Sequence, residues 1–157
     1  MVEVARALLA ALPSNVVLVV NDRADVAIAS GAAGVHVGAD DLPPAAIRRI
    51  APPGFVIGAS VGTEAEVAAA ADADYVGIGP VFSTASKHDA GDAIGPARFA
   101  QLRALCNRPA VAIGGIDAEN AASVMAAGAA GIAVIRAVFA APDPELAART
   151  LRRAMSQ

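Results

Sequence analysis

Short runs of β-branched and other apolar residues recur along the chain, each followed by a polar or glycine-containing turn and an alanine-rich stretch. Such runs are typical of the strands of a parallel sheet, which is covered on both faces. The alanine-rich stretches between them predict helices, several of which end just before a glycine such as Gly31 or Gly128. The predicted strands are residues 16–20, 34–38, 55–60, 75–81, 110–114 and 131–135, and predicted helices include residues 64–71, 96–105 and 118–127.

Strands that alternate with helices imply right-handed βαβ units and a parallel sheet. A doubly wound sheet would carry a Gly-x-Gly-x-x-Gly turn after its first strand, and the sequence has none. Polar residues instead follow nearly every strand, as in a (β/α) barrel of the TIM type. We therefore predict an α/β fold of that type, a single partial barrel domain over residues 1–157. A complete barrel has eight strands, and the sequence supplies about six of them, so we expect the N-terminal strands to be missing.

Composition and charge narrow the range of partners. The chain has 157 residues, a net charge of −3 and no basic stripe with interleaved aromatics, which argues against nucleic acid as a partner. Small phosphorylated molecules remain possible, because phosphate sites are local and use backbone N–H groups. No apolar stretch is long enough to cross a bilayer, and residues 1–12 predict an amphipathic helix better than a signal peptide. We expect a cytoplasmic protein without membrane contact.

Two pairs of polar residues stand just past neighbouring predicted strands. Asn21-Asp22 has one amide and one carboxylate, and Asp40-Asp41 has two carboxylates. Carboxylates that meet at one mouth can hold Mg²⁺, which prefers oxygen ligands and keeps several waters and a substrate phosphate. Asp22 and Asp41 could equally cap the helices that follow them. Spacing alone leaves these two interpretations open.

The segment 79–91 is the longest polar loop and places Thr84, Ser86 and Lys87 after an apolar strand. Hydroxyls and a lysine suit a pyrophosphate, which needs several donors and a compensating charge. The alternative is a solvated loop with an ordinary surface lysine.

A second anion site is predicted at the last two strands. Gly114 and Gly115 form a turn after one of them, and Ile135 and Arg136 follow the other. Barrels often bind phosphate at this place, with backbone N–H groups that glycine allows to approach the anion closely.

The two histidines carry no recognisable catalytic pattern. His36 lies inside Gly-Val-His-Val-Gly on a strand, which favours a packed core residue over a catalyst. His88 belongs to the polar loop and is as compatible with solvent as with a ligand. The single cysteine, Cys106, excludes an intrachain disulfide and predicts a buried, inert thiol.

Taken together, these segments resemble the thiamine phosphate synthase family. The matching phrases occur in the family's order and cover nearly the whole chain. They are VNDRADVA (20–27), GVHVGADDLP (34–43), IGAS (57–60), DYVGIGPVFSTASK (74–87), VAIGGIDAENA (111–121) and GIAVIRAV (131–138).

The resemblance implies a transferase that couples hydroxymethylpyrimidine diphosphate to thiazole phosphate and releases pyrophosphate in the presence of Mg²⁺. It places the metal at Asp22 and Asp41. It implies that Asn21, Ser60 and Lys87 contact the diphosphate. Ser60 and Lys87 are the expected catalytic residues. The thiazole phosphate is expected at Thr84, Ser86, Gly114, Gly115, Ile135 and Arg136.

Departures from the family keep two other functions open. The family's Gln-x-Arg-x-Lys cluster is expected in the missing N-terminal part, so we expect a weak or inactive synthase. The related thiazole tautomerase carries a histidine where Pro80 stands, and the chain resembles it less. A non-catalytic phosphate-binding barrel fragment is the other alternative. Two unpaired sheet edges would favour pairing with another chain, so a homo-oligomer is possible.

Overall fold

In a computed structural model, which describes residues 1–84 and 91–156, helices and parallel strands alternate along the chain. All six predicted strands are present, and Gly31 ends one helix with a φ of 80°. The strands are β1 (Val19–Asn21), β2 (Gly34–Val37), β3 (Val56–Val61), β4 (Tyr75–Ile78), β5 (Ala110–Ile113) and β6 (Gly131–Ala133). The helices are α1 (Val2–Ala11), α2 (Ala24–Ser30), α3 (Pro44–Ile50), α4 (Glu64–Ala69), α5 (Gly95–Leu105), α6 (Ala121–Ala126), α7 (Arg136–Phe139) and α8 (Pro144–Ala154).

The chain divides into two compact units. Unit 1 comprises Met1–Val61 and Ala65–Val76, while unit 2 comprises Gly62–Glu64 and the described part of Gly77–Gln157. In unit 1 the strands lie side by side in chain order, from β1 to the first half of β4. In unit 2 the second half of β4, β5 and β6 also follow chain order. Chain order without a reversal is the arrangement of a barrel-type fold and differs from a doubly wound sheet. Whether the two units form one barrel domain stays a prediction.

The two faces of the sheet in unit 1 differ in polarity. β1 pairs with β2 so that Asn21 faces His36, and β2 pairs with β3 so that His36 faces Gly58. Paired residues point to the same face, and Ser60 shares that face because side chains alternate along a strand. The residues between them are buried and form the core, among them Val35, Val37, Ile57, Ala59 and Val61. The polar face of β1–β3 is therefore the face away from that core.

In unit 2 the core is built from aliphatic residues and one aromatic ring. Phe99 and Leu102 of α5 are fully buried, as are Ala112 of β5 and Val124 of α6. The glycine that follows α6, Gly128, has a φ of 92°, as expected of a helix C-terminus. β5 and β6 pair in parallel, with Val111 opposite Gly131.

Two predicted strand ends were wrong by several residues. β1 begins at Val19 and not at Val16, because the backbone N–H of Val16 closes a turn onto the carbonyl of Pro13 at 2.9 Å. β4 ends at Ile78 and does not reach Val81. Its continuation is interrupted by Pro80, which has no N–H to donate to a neighbouring strand.

Two further expectations concern helices. No helix within residues 1–84 and 91–156 is long and apolar enough to cross a membrane. Cys106 follows α5, and its thiol donates to the carbonyl of Leu102 at 3.3 Å. Cys106 is half-buried and not buried as expected. Partial burial still raises the pKa of Cys106, as expected of an unreactive thiol.

Candidate functional site

The turn after β1 presents two predicted ligands. Asn21 ends the strand, and both Asn21 and Asp22 are exposed. Asp22 has a φ of 63°, a conformation that Asp tolerates better than most residues. Its backbone N–H donates to the carbonyl of His36 at 2.7 Å, which fixes the turn to the end of β2. The carboxylate of Asp22 is thus carried by a turn whose backbone is held in place.

The turn after β2 holds the second carboxylate. Oδ2 of Asp41 accepts the backbone N–H of Gly38 at 2.7 Å, and Asp41 is half-buried. The helices that follow these turns begin with Arg23 and Pro43 at their N-cap positions. Asp22 and Asp41 are therefore not the N-cap residues of these helices, and the alternative interpretation of them as helix caps is wrong in that respect. Asp41 instead ties its own turn together.

Magnesium was expected at these two carboxylates. Both follow strands that pair in parallel, so they leave the sheet at the same end. Within the residues that the structure describes, no three carboxylate, histidine or cysteine side chains gather into a metal site. One oxygen of Asp41 already accepts a hydrogen bond from Gly38, so the two carboxylates offer few oxygens to a metal. Such a pair suits an ion that takes its other ligands from water and a substrate phosphate. The donor set fits Mg²⁺ better than a metal that needs a protein cage.

A polar chain that the sequence did not predict runs through unit 1. Nδ1 of His36 lies 3.0 Å from the hydroxyl of Tyr75, and Nε2 lies 3.0 Å from Oγ of Ser60. The rings of His36 and Tyr75 are 5.4 Å apart. His36 is only half-buried, so it is not the packed core residue that its strand position suggested. Its contact with Ser60 connects it to a predicted catalytic residue.

The space for this chain depends on a glycine. A Cβ atom at Gly58 would overlap Cζ and the hydroxyl of Tyr75 as well as Nδ1 of His36. Gly58 faces His36 in the sheet register, so the two rings meet over the bare backbone of β3. Burial raises the pKa of Tyr75, which keeps its phenol protonated at neutral pH. The apolar-polar-apolar order Val35-His36-Val37 was the signal in the sequence that could have placed His36 on the polar face.

In unit 2 the predicted glycine turn is closely packed. Gly114 and Gly115 have φ values of 93° and 64°, which favour glycine strongly. The segment after β4 lies against this turn, because Val81 and Phe82 donate their N–H groups to the carbonyls of Ile113 and Gly114 at 2.8 and 3.0 Å. A Cβ atom at Gly115 would come within 2.8 Å of Phe82.

The side of the glycine turn nearer to α6 is held by an amide. Nδ2 of Asn120 donates to the carbonyl of Gly115 at 3.0 Å, and its Oδ1 accepts the N–H of Asp117 at 3.0 Å. One side chain thus fixes the turn and the loop after it. No role for Asn120 is predicted from the sequence alone.

The remaining predicted residues differ in how far the structure describes them. Thr84, half-buried, ends the described part of its loop, while Ser86, Lys87 and His88 lie outside the described residues. Ile135 and Arg136 are exposed where α7 begins. The structure brings Asn21, His36 and Ser60 to one face of unit 1 and places Thr84, Gly114 and Gly115 in unit 2.

Comparison with known proteins gives a consistent result. The model of the family described as thiamine monophosphate synthase matches residues 1–138. The chain is 56% identical over 141 residues to the thiamine-phosphate synthase of Methanoculleus marisnigri, a match that covers 88% of this chain and 67% of the relative. It is 54% identical over 153 residues to that of Azorhizobium caulinodans, covering 96% of this chain and 72% of the relative.

A solved structure agrees with the sequence relatives. The thiamine phosphate pyrophosphorylase from Pyrococcus furiosus superposes with a TM-score of 0.86 at 38% sequence identity. The superposition covers 99% of this chain and 75% of that one. The predicted fold, a parallel α/β chain of the barrel type, is confirmed by this likeness.

Proposed function

The chain belongs to the thiamine monophosphate synthase family, and on that basis we propose that it joins hydroxymethylpyrimidine diphosphate to thiazole phosphate. The products are thiamine phosphate and pyrophosphate. The observation that carries the proposal is the 56% identity over 141 residues to a thiamine-phosphate synthase. The polar face of unit 1 also supports it, because Asn21 and Ser60 on that face can donate hydrogen bonds to a phosphate.

The reaction needs no nucleophile from the protein. The bond between the pyrimidinylmethyl carbon and the diphosphate oxygen breaks, and its electron pair leaves with pyrophosphate. The nitrogen of the thiazole then forms a bond to that carbon with its own lone pair. Negative charge accumulates on the leaving group, so hydrogen-bond donors and cations there lower the barrier.

In unit 1 the diphosphate is assigned to two donors. The amide of Asn21 and the hydroxyl of Ser60 can each donate to a phosphate oxygen, and both are exposed on the polar face. Lys87 would add a positive charge.

Asp22 and Asp41 would hold the magnesium ion. A magnesium ion held there would supply positive charge to offset the negative charge of the diphosphate. The Asp41 turn keeps one carboxylate oxygen committed to Gly38, so the other oxygen is the one assigned to the metal.

The thiazole phosphate is assigned to unit 2. Thr84 and Ser86 offer hydroxyls, and the turn at Gly114 and Gly115 offers backbone N–H groups. Arg136 adds a guanidinium, and Ile135 precedes it at the start of α7. Asn120 keeps the turn in shape through the carbonyl of Gly115.

The test is the formation of thiamine phosphate by the purified chain, with and without Mg²⁺, measured by oxidation to a fluorescent thiochrome. The thiamine-phosphate synthase of Methanoculleus marisnigri serves as the positive control. We expect product that depends on both substrates and on Mg²⁺, formed more slowly than by the relative, as the weak synthase expected from the sequence would form it. No product under conditions where the relative is active would contradict the proposal. Conversion between thiazole phosphate tautomers without the pyrimidine substrate would instead favour the tautomerase alternative.

The finer expectations stay predictions. Light scattering of the purified chain would check the homo-oligomer, and fractionation of the producing cells would check the cytoplasmic location.

A further inference from the structure

The contact between Ser60 and His36 decides whether the Ser60 hydroxyl can donate a hydrogen bond to another group. Its Oγ lies 3.0 Å from Nε2 of His36, and either atom could be the donor. A hydroxyl has one hydrogen but two lone pairs. If Ser60 donates to His36, that hydrogen is not available to a phosphate oxygen. If His36 donates to Ser60, the hydrogen is available.

The same question arises at the other ring nitrogen. A neutral imidazole carries one N–H, so its two nitrogens cannot both donate. Nδ1 of His36 lies 3.0 Å from the Tyr75 hydroxyl, which is half-buried and can donate. When Tyr75 donates to Nδ1, the ring hydrogen lies on Nε2 and points at Ser60. The direction of both hydrogen bonds is then fixed, from Tyr75 to His36 and from His36 to Ser60.

We infer that Tyr75 and His36 are positioning residues that leave the Ser60 hydrogen free to donate to a diphosphate oxygen. The order of donation runs from Tyr75 to His36, from His36 to Ser60, and from Ser60 to the anion. The inference rests on the proposed function, since it gives Ser60 its anionic partner.

The packing in unit 1 holds the side chains of Tyr75, His36 and Ser60 in these positions. Gly58 leaves room for the two rings to meet, and a Cβ atom there would overlap both. Register places His36 opposite Gly58 and Ser60 two residues further along β3 on the same face. The chain of three side chains is therefore held by strand pairing as well as by its own hydrogen bonds.

The binding test uses inorganic pyrophosphate with Mg²⁺ as the probe and titration calorimetry as the measurement. Loss of one orienting hydrogen bond in Tyr75→Phe is expected to weaken binding about three- to tenfold. In the Ser60→Ala background the same change is expected to have no further effect, because Tyr75 acts through Ser60. Ser30→Ala is the matched control, since it removes a buried hydroxyl that donates to Ala27 elsewhere in unit 1.

Two results of the binding test would overturn the inference. One is an equal loss from Tyr75→Phe with and without the Ser60 hydroxyl, which would indicate general packing. The other is wild-type protein that does not bind pyrophosphate, which would remove the anion from Ser60. Formation of thiamine phosphate is measured separately, so failure of this inference and failure of the proposed function are distinguishable.

A second measurement does not depend on any variant of Tyr75 folding. Nitrogen-15 spectra of the wild-type chain with pyrophosphate report the tautomer of His36, and His36→Gln identifies its signals against those of His88. We expect hydrogen on Nε2 and a bare Nδ1. Hydrogen on Nδ1 in the pyrophosphate complex would overturn the inference.

Discussion

Asp74 and Arg48 form an ion pair of 2.8 Å, and the same carboxylate oxygen accepts the backbone N–H of Ile57 at 2.7 Å. Arg48 also donates to the carbonyls of Phe55 and Asp72 at 2.8 and 3.1 Å. The carboxylate of Asp74, the residue just before β4, thus binds both α3 and the start of β3. Because Ile57 is fully buried, its N–H depends on this acceptor.

Asp74→Ala is expected to lower the free energy of unfolding by about 2 kcal/mol, because it leaves a buried N–H without its acceptor. Urea denaturation measures the change. Asp74→Asn is the matched control: it keeps an acceptor oxygen and loses only the partly exposed ion pair, which we expect to cost under about 1 kcal/mol. Equal losses in the two variants would show that the charge and not the acceptor matters.

The exposed pair of Arg23 and Asp25 predicts a pH dependence. Nε of Arg23 donates to Oδ1 of Asp25 at 2.8 Å, and this hydrogen bond lowers the pKa of Asp25 to about 2. Since the folded-state pKa is depressed, any stabilisation is present above the ordinary carboxyl range and is lost as the pH falls towards 2. We expect Arg23→Ala to return the Asp25 titration to about 4. Carbon-13 NMR of the carboxyl group checks it, and an unchanged midpoint would contradict the assignment.

Local sequence patterns predicted the elements of this fold well. The β-branched runs identified all six strands because strand residues that pack into the core have to be apolar. Strand ends were less predictable, since the turn that links Val16 to Pro13 and the break at Pro80 depend on tertiary context. Element existence is local information, whereas element ends depend on neighbours.

The candidate site was only partly predictable for the same reason. The turns at Asp22, Asp41 and Gly115 could be found because they follow the carboxyl ends of predicted strands, where barrels carry their ligand-binding residues. The role of His36 could not, because it depends on register with Gly58 and on a contact with Tyr75 far along the chain. Such contacts are properties of the fold and leave little trace in local pattern.

The glycine turn of unit 2 yields a prediction about the second substrate. Gly115→Ala would place a Cβ atom against Phe82 and Ser83 while keeping a strained φ. We expect the KM for thiazole phosphate to rise about tenfold or more, measured by steady-state kinetics. Gly54→Ala is the matched control, because Gly54 has a φ of 79° but nothing within 4 Å of the added atom. A similar rise in KM in both variants would mean that backbone strain and not the turn's packing is responsible.

The proposed magnesium site can be tested without disturbing the turn that carries it. Asn at position 41 keeps an oxygen that can accept the N–H of Gly38, so Asp41→Asn removes the charge while the turn stays closed. We expect kcat to fall at least about tenfold and the Mg²⁺ concentration for half-activation to rise. Asp40→Asn, at the exposed neighbour, is the matched control and should leave both values unchanged. If Asp41→Asn keeps the wild-type Mg²⁺ dependence, the metal does not bind Asp41.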